Sequence, residues 1–475
     1  MGFTNFTRRQ FIQTTAAGAA WGMAASSYAR IMGSNQRLMV AYIGVGGIAG
    51  DQHIPRLEEL GAGCPCYCDA DQRRWENAAN RWSDATGYTD YRQMYDRQHK
   101  DFDAVMVGTP DHSHYPATII GMMLGKHAYT QKPLTHTVWE AQQLRLAMEK
   151  YKVATQMGNQ GHASPEIRKT IDYVRDGAIG DVTEVHVWTD RPWWRQGIER
   201  PGGSQPVPDG MDWEAWIGPA PMRPFRHDPA DDWGGLYHPF NWRGWWDFGC
   251  GALGDMACHE MDPFYWALDP GHPTSVELVD SVAFGDSDTY ANESTVRYEF
   301  PAKGGRPAFT AYWYDGGRKP ARPEEMLEGP GLQPEGQDPQ PEGQDPQAEG
   351  RDLQAEGALF IGTKGKMVNL SRGLDTPRLL PYSRHEEYPT PPAQLEPSPG
   401  HHKEWFLACT GEKAYDYPKS NFGYSGPFTE TVLLGCIAQR VGGKLLFDGT
   451  RITNNDTANA LMTKPYREGW DYKMS

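Results

Sequence analysis

A chain of 475 residues, 39% hydrophobic and 12% aromatic, has ample material for packed cores. Its 61 acidic side chains outnumber the 46 basic ones, for a net charge of −15, and such a surface repels nucleic acid and anionic membranes alike. Past the N-terminus no segment has the roughly 18 uninterrupted apolar residues that a spanning helix needs.

The first residues read as an export signal. Thr7-Arg8-Arg9-Gln10-Phe11-Ile12 fits a twin-arginine pattern, a small-residue apolar stretch follows over 14–25, and Ser27-Tyr28-Ala29 offers a small-x-small cleavage site. The twin-arginine export machinery carries proteins that are already folded, so the expected location is periplasmic. Removing residues 1–29 leaves about 445 residues, a length that suggests two domains.

Residues 38–43 form a short apolar run, expected as a buried parallel strand, ending in the loop Gly44-Val45-Gly46-Gly47-Ile48-Ala49. Residues 53–60 read as helix and 64–68 as a second strand ending at Asp69. Cys64, Cys66 and Cys68 alternate along it and are expected on one buried face. Their spacing is neither a zinc knuckle nor a disulfide framework. Helix is expected over 72–82, strand over 104–107, and helix again through 124. Then come strand 127–129 running to Gln131-Lys132-Pro133, helix 138–151 and strand 153–157. Strands alternating with helices predict a doubly wound parallel sheet, a Rossmann domain over 36–158.

The pattern then changes. Residues 159–475 read as an α+β domain with a large mixed or antiparallel sheet. Its helices are expected at 167–175, 403–409 and 430–441, and its strands at 183–188, 294–300, 308–314, 359–361 and 367–370. Pro334-Glu335-Gly336-Gln337-Asp338-Pro339-Gln340 recurs at 341–347, and a weaker copy spans 348–354. Nearly free of large apolar residues, this stretch is expected as a disordered insert over 333–357 between two strands.

In a loop that follows a strand and opens a helix, Gly44 permits the tight turn and Gly46 a close approach of backbone to a pyrophosphate. Ala49 keeps helix and strand close. Asp69 is placed to accept from both adenosine ribose hydroxyls, and its charge would repel a 2′-phosphate, which favours NAD over NADP. Free nicotinamide cofactors are scarce outside the cytoplasm, so an exported enzyme is expected to fold around its NAD and hold it tightly. A helix over 253–267 would set Asp255 and His259 one turn apart, a usable acid/base pair.

Several stretches together resemble the Gfo/Idh/MocA superfamily, which includes glucose–fructose oxidoreductase and inositol dehydrogenase. They are the glycine loop, Val107-Gly108-Thr109-Pro110-Asp111-His112-Ser113-His114, Lys132-Pro133, and Gly249-Cys250-Gly251-Ala252-Leu253-Gly254-Asp255 leading to His259, Met261 and Asp262. The resemblance runs from about Leu38 to the C-terminus. It implies cofactor contacts from Gly44, Gly46, Gly47, Ile48, Asp69, Thr109, Pro110, His114, Gln131 and Lys132, and a homo-oligomer. It also implies a catalytic group of Lys132, Asp255 and His259. His259 would be the base for the hydroxyl being oxidised, Lys132 would hydrogen-bond that oxygen, and Asp255 would hold a neighbouring hydroxyl. Residues 157–162 and 421–426 resemble an exported subgroup, and Asn159 in the first is expected to touch substrate. Gln131 stands where the family has glutamate, so an acid's charge is missing beside Lys132.

Trp188, Trp193, Trp194, Trp233, Trp242, Trp245 and Trp246 cluster in sequence ahead of the catalytic stretch. Indoles pack on the C–H faces of sugars, so the loop carrying Arg191 and Trp194 is expected as a carbohydrate platform and the others mostly as core. His401 and His402 near Glu404 lack a further ligand, so no metal is expected. The leading reading is an NAD-dependent oxidoreductase acting on a sugar or polyol hydroxyl. The alternative is a redox-neutral glycoside hydrolase with tightly bound NAD, working by oxidation, elimination, hydration and reduction. A non-catalytic binding protein on the same fold is the third.

Overall fold

The computed structural model describes residues 37–227, 235–282, 288–327, 353–370 and 377–474. The export signal with Arg8 and Arg9, Trp233 and most of the repeat lie outside the described residues.

Six strands form one parallel sheet in the order β3-β2-β1-β4-β5-β6. They are β1 (Val40–Ile43), β2 (Cys66–Cys68), β3 (Thr86–Tyr88), β4 (Ala104–Val107), β5 (His127–Gln131) and β6 (Thr155–Gly158). Every residue of β1 and β4 is buried, as strands covered by helices on both faces require. The strand order reverses between β1 and β4, which opens a crevice at their carboxyl ends. Helix Val138–Tyr151 starts where expected, because Thr137 and Glu140 form a capping box.

The second half supplies an eight-stranded sheet, ordered β13-β12-β11-β7-β10-β9-β8-β14. These strands are β7 (Val182–Trp188), β8 (Ser275–Val282), β9 (Glu293–Phe300), β10 (Phe309–Tyr314), β11 (Gly357–Gly362), β12 (Gly365–Asn369), β13 (Arg378–Leu380) and β14 (Lys444–Leu446). Only β7 and β10 pair in parallel, so the sheet is mixed. The long helix Phe422–Val441 returns to the first half: Phe422 N–H donates to Thr155 Oγ1 at 3.0 Å and Gln142 Nε2 to Glu430 Oε2 at 3.0 Å. Beside Ala70, just after β2, Trp213, Trp216, Phe225, Tyr237, Trp245 and Phe248 form a separate aromatic core. No described helix is long and apolar enough to cross a membrane.

Four expectations need correction. The helix over 253–267 is two helices, Gly251–Glu260 and Asp262–Leu268, because Pro263 has no N–H to carry the hydrogen-bond ladder through. The helix expected at 53 is preceded by a wider π-type turn, Ala49–His53. Cys64 does not share a face with Cys66 and Cys68: it precedes the strand at Pro65 and joins a different core cluster. All seven cysteines are buried and unpaired. Finally, residues 353–357, expected within the insert, belong to the folded part. Leu353 supplies the apolar side chain that the repeats lack and is buried, and Gln354 O accepts from Trp188 Nε1 at 3.0 Å.

Candidate active site

At the end of β1, Gly44 has φ +80°, and a Cβ there would lie 2.6 Å from the carbonyl carbon and oxygen of Gly108, just past β4. Only glycine fits that turn. Gly108 is the residue that lets the following helix sit close, since a Cβ on it would come 2.9 Å from the Ala49 methyl. Gly47 has φ +48° with nothing within 4 Å of a would-be Cβ. Gly46 faces the Arg74 side chain at ordinary contact distance, and Ile48 is exposed.

Asp69 closes the turn from the β2 side. Its Oδ2 accepts from Val45 N–H and its Oδ1 from Asp71 N–H, each at 3.0 Å. Burial raises its pKa, against the pull of those two amides. A carboxylate oxygen takes two hydrogen bonds, so each keeps a lone pair free for a ribose hydroxyl. Thr109, directly after Gly108, has a buried Oγ1 without a partner. A glycine-floored turn, a carboxylate with spare acceptors and a buried hydroxyl in want of a partner fit a dinucleotide, whose holders would be Gly44, Gly46, Gly47, Asp69 and Thr109.

Two expected cofactor residues are placed differently. His114 is fully buried, with Nδ1 2.8 Å from Pro133 O and Nε2 2.8 Å from Thr109 O. It braces the cleft wall and has no surface to offer a ligand, while Pro110 beside it stays half-exposed. Gln131 is also buried, its Nε2 2.5 Å from His53 Nε2. His53 Nδ1 in turn lies 2.7 Å from His402 Nε2. Burial lowers both imidazoles, His402 to about 4, so the pair is neutral at pH 7. A neutral amide can donate to or accept from such a ring, whereas a glutamate would bury an added charge. That is the local reason for Gln131. His401 meets Met157 O and Glu404 meets Ser398 and Lys419. Among the described residues no His, Cys, Asp and Glu side chains group as metal ligands.

The expected catalytic residues lie at the same carboxyl edge, past β5. Lys132 Nζ donates to Asp255 Oδ1 at 2.7 Å and to Asp255 O at 2.9 Å. Arg243 Nε donates to the same Oδ1 at 3.2 Å. Burial alone would push the Asp255 carboxyl up, but Lys132 and Arg243, with His259, hold it below the usual carboxylate range. His259 sits one turn along the helix Gly251–Glu260, half-exposed. Asp255 thus stays ionised between two cations, with an imidazole beside it. The expected roles of Lys132 and Asp255 meet in one ion pair, which a substrate hydroxyl would have to join or divide.

Sequence reasoning missed Arg243 and Asp111. Asp111 Oδ2 accepts from Cys250 N–H at 3.0 Å, which ties the end of β4 to the start of the helix Gly251–Glu260. Burial, then the charge of Asp255, raises its pKa to about 7. A folded-state pKa above the unfolded 3.8 means that the native protein holds a proton the unfolded chain has released. The stability this proton contributes is full below pH 3.8, drains as pH rises, and is lost once pH passes about 7. Asp111→Asn should abolish that loss, flattening the fall in stability between pH 5 and 8 by about 1–3 kcal/mol. Urea melts at the two pH values check this; equal slopes for variant and parent would refute it.

The substrate expectations are met unevenly. Arg191 is buried with its guanidinium against Met256 of the helix Gly251–Glu260, and it stacks on Trp193 at 3.2 Å. Trp194 is only 4% exposed and donates to Gln196 at 2.7 Å, whereas Trp193 is 52% exposed. The accessible indole of the loop is therefore Trp193, not Trp194. Asn159 is fully buried: it donates to Asp262 at 3.2 Å and accepts from Ser420 at 2.5 Å. Asp262 also takes His162 and Tyr424. Asn159 thus joins the 157–162 and 421–426 stretches into one internal network and cannot reach a ligand.

Comparison with known proteins agrees with this architecture. Residues 38–159 match the Gfo/Idh/MocA description "Oxidoreductase family, NAD-binding Rossmann fold", and residues 174–304 match its "C-terminal alpha/beta domain". "Glycosyl hydrolase family 109 protein 2" of Shewanella sp. (strain ANA-3) is 29% identical over 234 residues, covering 42% of this chain and 50% of that protein. "D-xylose 1-dehydrogenase [NADP(+)]" of Haloarcula marismortui is 24% identical over 151 residues, 31% of this chain and 41% of that protein. The chain spans about half the length, or less, of these curated relatives. Among solved structures, the WlbA dehydrogenase of Chromobacterium violaceum, in complex with NADH and UDP-GlcNAcA, superposes with a TM-score of 0.55 at 16% identity, covering 87% of this chain and 97% of that one. The aldose-aldose oxidoreductase of Caulobacter crescentus, complexed with glycerol, gives 0.52 at 16%, covering 87% and 100%. At such identities the likeness is one of fold.

Proposed function

The chain belongs to the Gfo/Idh/MocA oxidoreductase family, and from that premise we propose that it oxidises a sugar or polyol hydroxyl with NAD as its bound cofactor. The observation that carries the reading is the convergence of Lys132, Asp255 and His259 at the sheet edge that also bears the Gly44 turn. The chemistry that NAD supplies when bound is acceptance and return of hydride at the sugar carbon. The chain does the rest. His259 takes the hydroxyl proton, Lys132 donates to the oxygen as it gains negative charge, and Asp255 orients a neighbouring hydroxyl. Arg243 keeps Asp255 ionised when Lys132 turns to substrate. Trp193 offers an indole face to the sugar ring. The free acceptors of Asp69 favour NAD over NADP.

A second reading is favoured by the relatives named as glycosyl hydrolases. In it the same residues serve a redox-neutral cleavage. His259 accepts and returns the hydroxyl proton, the glycosidic bond breaks by elimination, water adds, and no net oxidation results. One experiment separates the two. Protein purified without added nucleotide is denatured to measure its NAD content, then the native form is offered glycosides and free sugars. Many turnovers with cleaved glycoside support the redox-neutral reading. A single turnover, with reduced cofactor remaining, supports the dehydrogenase. Protein that purifies empty and needs NAD at each turnover refutes tight retention, and calorimetry showing NADP bound more tightly than NAD refutes the role given to Asp69.

Export is part of the proposal and is supported by Arg8-Arg9 and the apolar stretch after them. Arg8→Lys with Arg9→Lys should hold the protein in the cytoplasm. An unchanged periplasmic yield on fractionation would overturn it.

A further inference from the structure

A cavity of about 870 Å³ lies outside the catalytic group, lined among others by Gly47, Arg74 and Asn77 on the first half and by Gln205, Phe225 and His238 on the second. It is on the β2 side of the crevice, whereas Lys132 and Asp255 lie past β5, with β1 and β4 between them. Its volume is that of a small-molecule site.

The second-half wall is fastened to the turn after β2. Asp212 N–H donates to Ala70 O and Gln72 N–H to Gly210 O, both at 2.8 Å. His238 Nε2 is 2.9 Å from Asp71 Oδ2, and Arg73 Nε reaches Asp71 Oδ1 at 2.7 Å. Asp71 is only 1% exposed. Behind the wall Trp213 stacks on Trp216 and meets Phe225 edge-on at 5.1 Å, and Ala70 of the turn packs against that aromatic core. The wall is therefore a built surface with its own core.

We infer that the residues around Gln205, Phe225 and His238 form the outer wall of the adenosine end of the dinucleotide site, with His238–Asp71 as the latch that keeps the cofactor from leaving there. The inference rests on the dinucleotide reading above and deepens it. Phe225 presents a ring to the base, and Asp69, two residues before the latch, takes the ribose. Release by the adenosine end then requires His238 to give up its bond to a carboxylate that is almost fully buried, although Arg73 still holds Asp71 on both oxygens.

The test uses nucleotide-stripped protein with NAD, ADP-ribose and nicotinamide mononucleotide, read by hydrogen exchange and by the rate of NAD release. NAD and ADP-ribose should protect the backbone around 205 and 225, and the mononucleotide should not. His238→Gln and Phe225→Leu should each speed NAD release at least tenfold while the unliganded protein stays folded, with a melting temperature lowered by the loss of the buried pair or of the core ring. Binding of ADP-ribose that protects the glycine loop alone, or wild-type release rates in both variants, would overturn the wall and leave the dinucleotide reading standing. Failure to bind any of the three overturns both. Should a variant not fold, the exchange pattern of the parent protein decides alone.

Discussion

Turnover falls by at least about a hundredfold in His259→Ala, and by as much in Lys132→Ala, while NAD content stays that of the parent protein. A hundredfold is the low end of what a positioned acid or base contributes. The two losses should differ in character. His259 is half-exposed, and its removal takes away a proton acceptor without burying a charge. Lys132 is paired with Asp255 at 2.7 Å, so its removal also strips a buried carboxylate of one partner. Arg243 at 3.2 Å remains as counter-charge, which keeps the site folded. Steady-state rates with NAD measured after denaturation check this. A near-normal rate in either variant removes that residue from the catalytic group, and a variant that has also lost NAD shows that the residue acts through the cofactor site.

Gly44→Ala should be the most damaging small substitution in the cleft. An alanine at φ +80° carries a backbone strain of about 1–2 kcal/mol. Its Cβ, 2.6 Å from the Gly108 carbonyl, must also push backbone aside. The sum is about 2–4 kcal/mol of lost stability, with NAD affinity down at least about tenfold as the loop moves. Gly47→Ala is the control, since φ is also positive there but nothing lies within 4 Å. Its cost should be the strain alone. Thermal melts and calorimetry of the two variants decide, and equal melting temperatures would refute the packing of Gly44 on Gly108 as the cause.

The parallel sheet was legible because its strands are short apolar runs closed by turn residues, and the glycine loop because a strand runs straight into it. Lys132, Asp255 and His259 were found through a resemblance, since a lysine after a strand and an Asp/His pair on a helix are common. What stayed hidden depends on partners far along the chain. Arg243 sits in a short 3₁₀ turn without periodicity, and only the fold brings it to Asp255. Asp111 looked like part of a loop motif until Cys250 N–H was found on it. Trp193 and Trp194 are indistinguishable as letters, and Gln196, two residues on, decides which indole turns inward. Asn159 was misassigned because its partners, Asp262 and Ser420, are each more than a hundred residues away. Gln131 needed His53 and His402 to explain it. The strands β8, β13 and β14 and the helix Tyr91–Gln98 carry too weak a pattern to be seen without the neighbours they pack on.

The seven thiols have a kinetic meaning. All are buried, and burial pushes the Cys64, Cys66 and Cys68 thiols up, so the native chain presents no thiolate to attack. An odd number of them cannot all pair within one molecule. A chain exposed unfolded to an oxidant would strand at least one and scramble the rest. The folded chain is safe only for as long as it stays closed, so the rate at which an alkylating reagent consumes its cysteines counts the openings of its core.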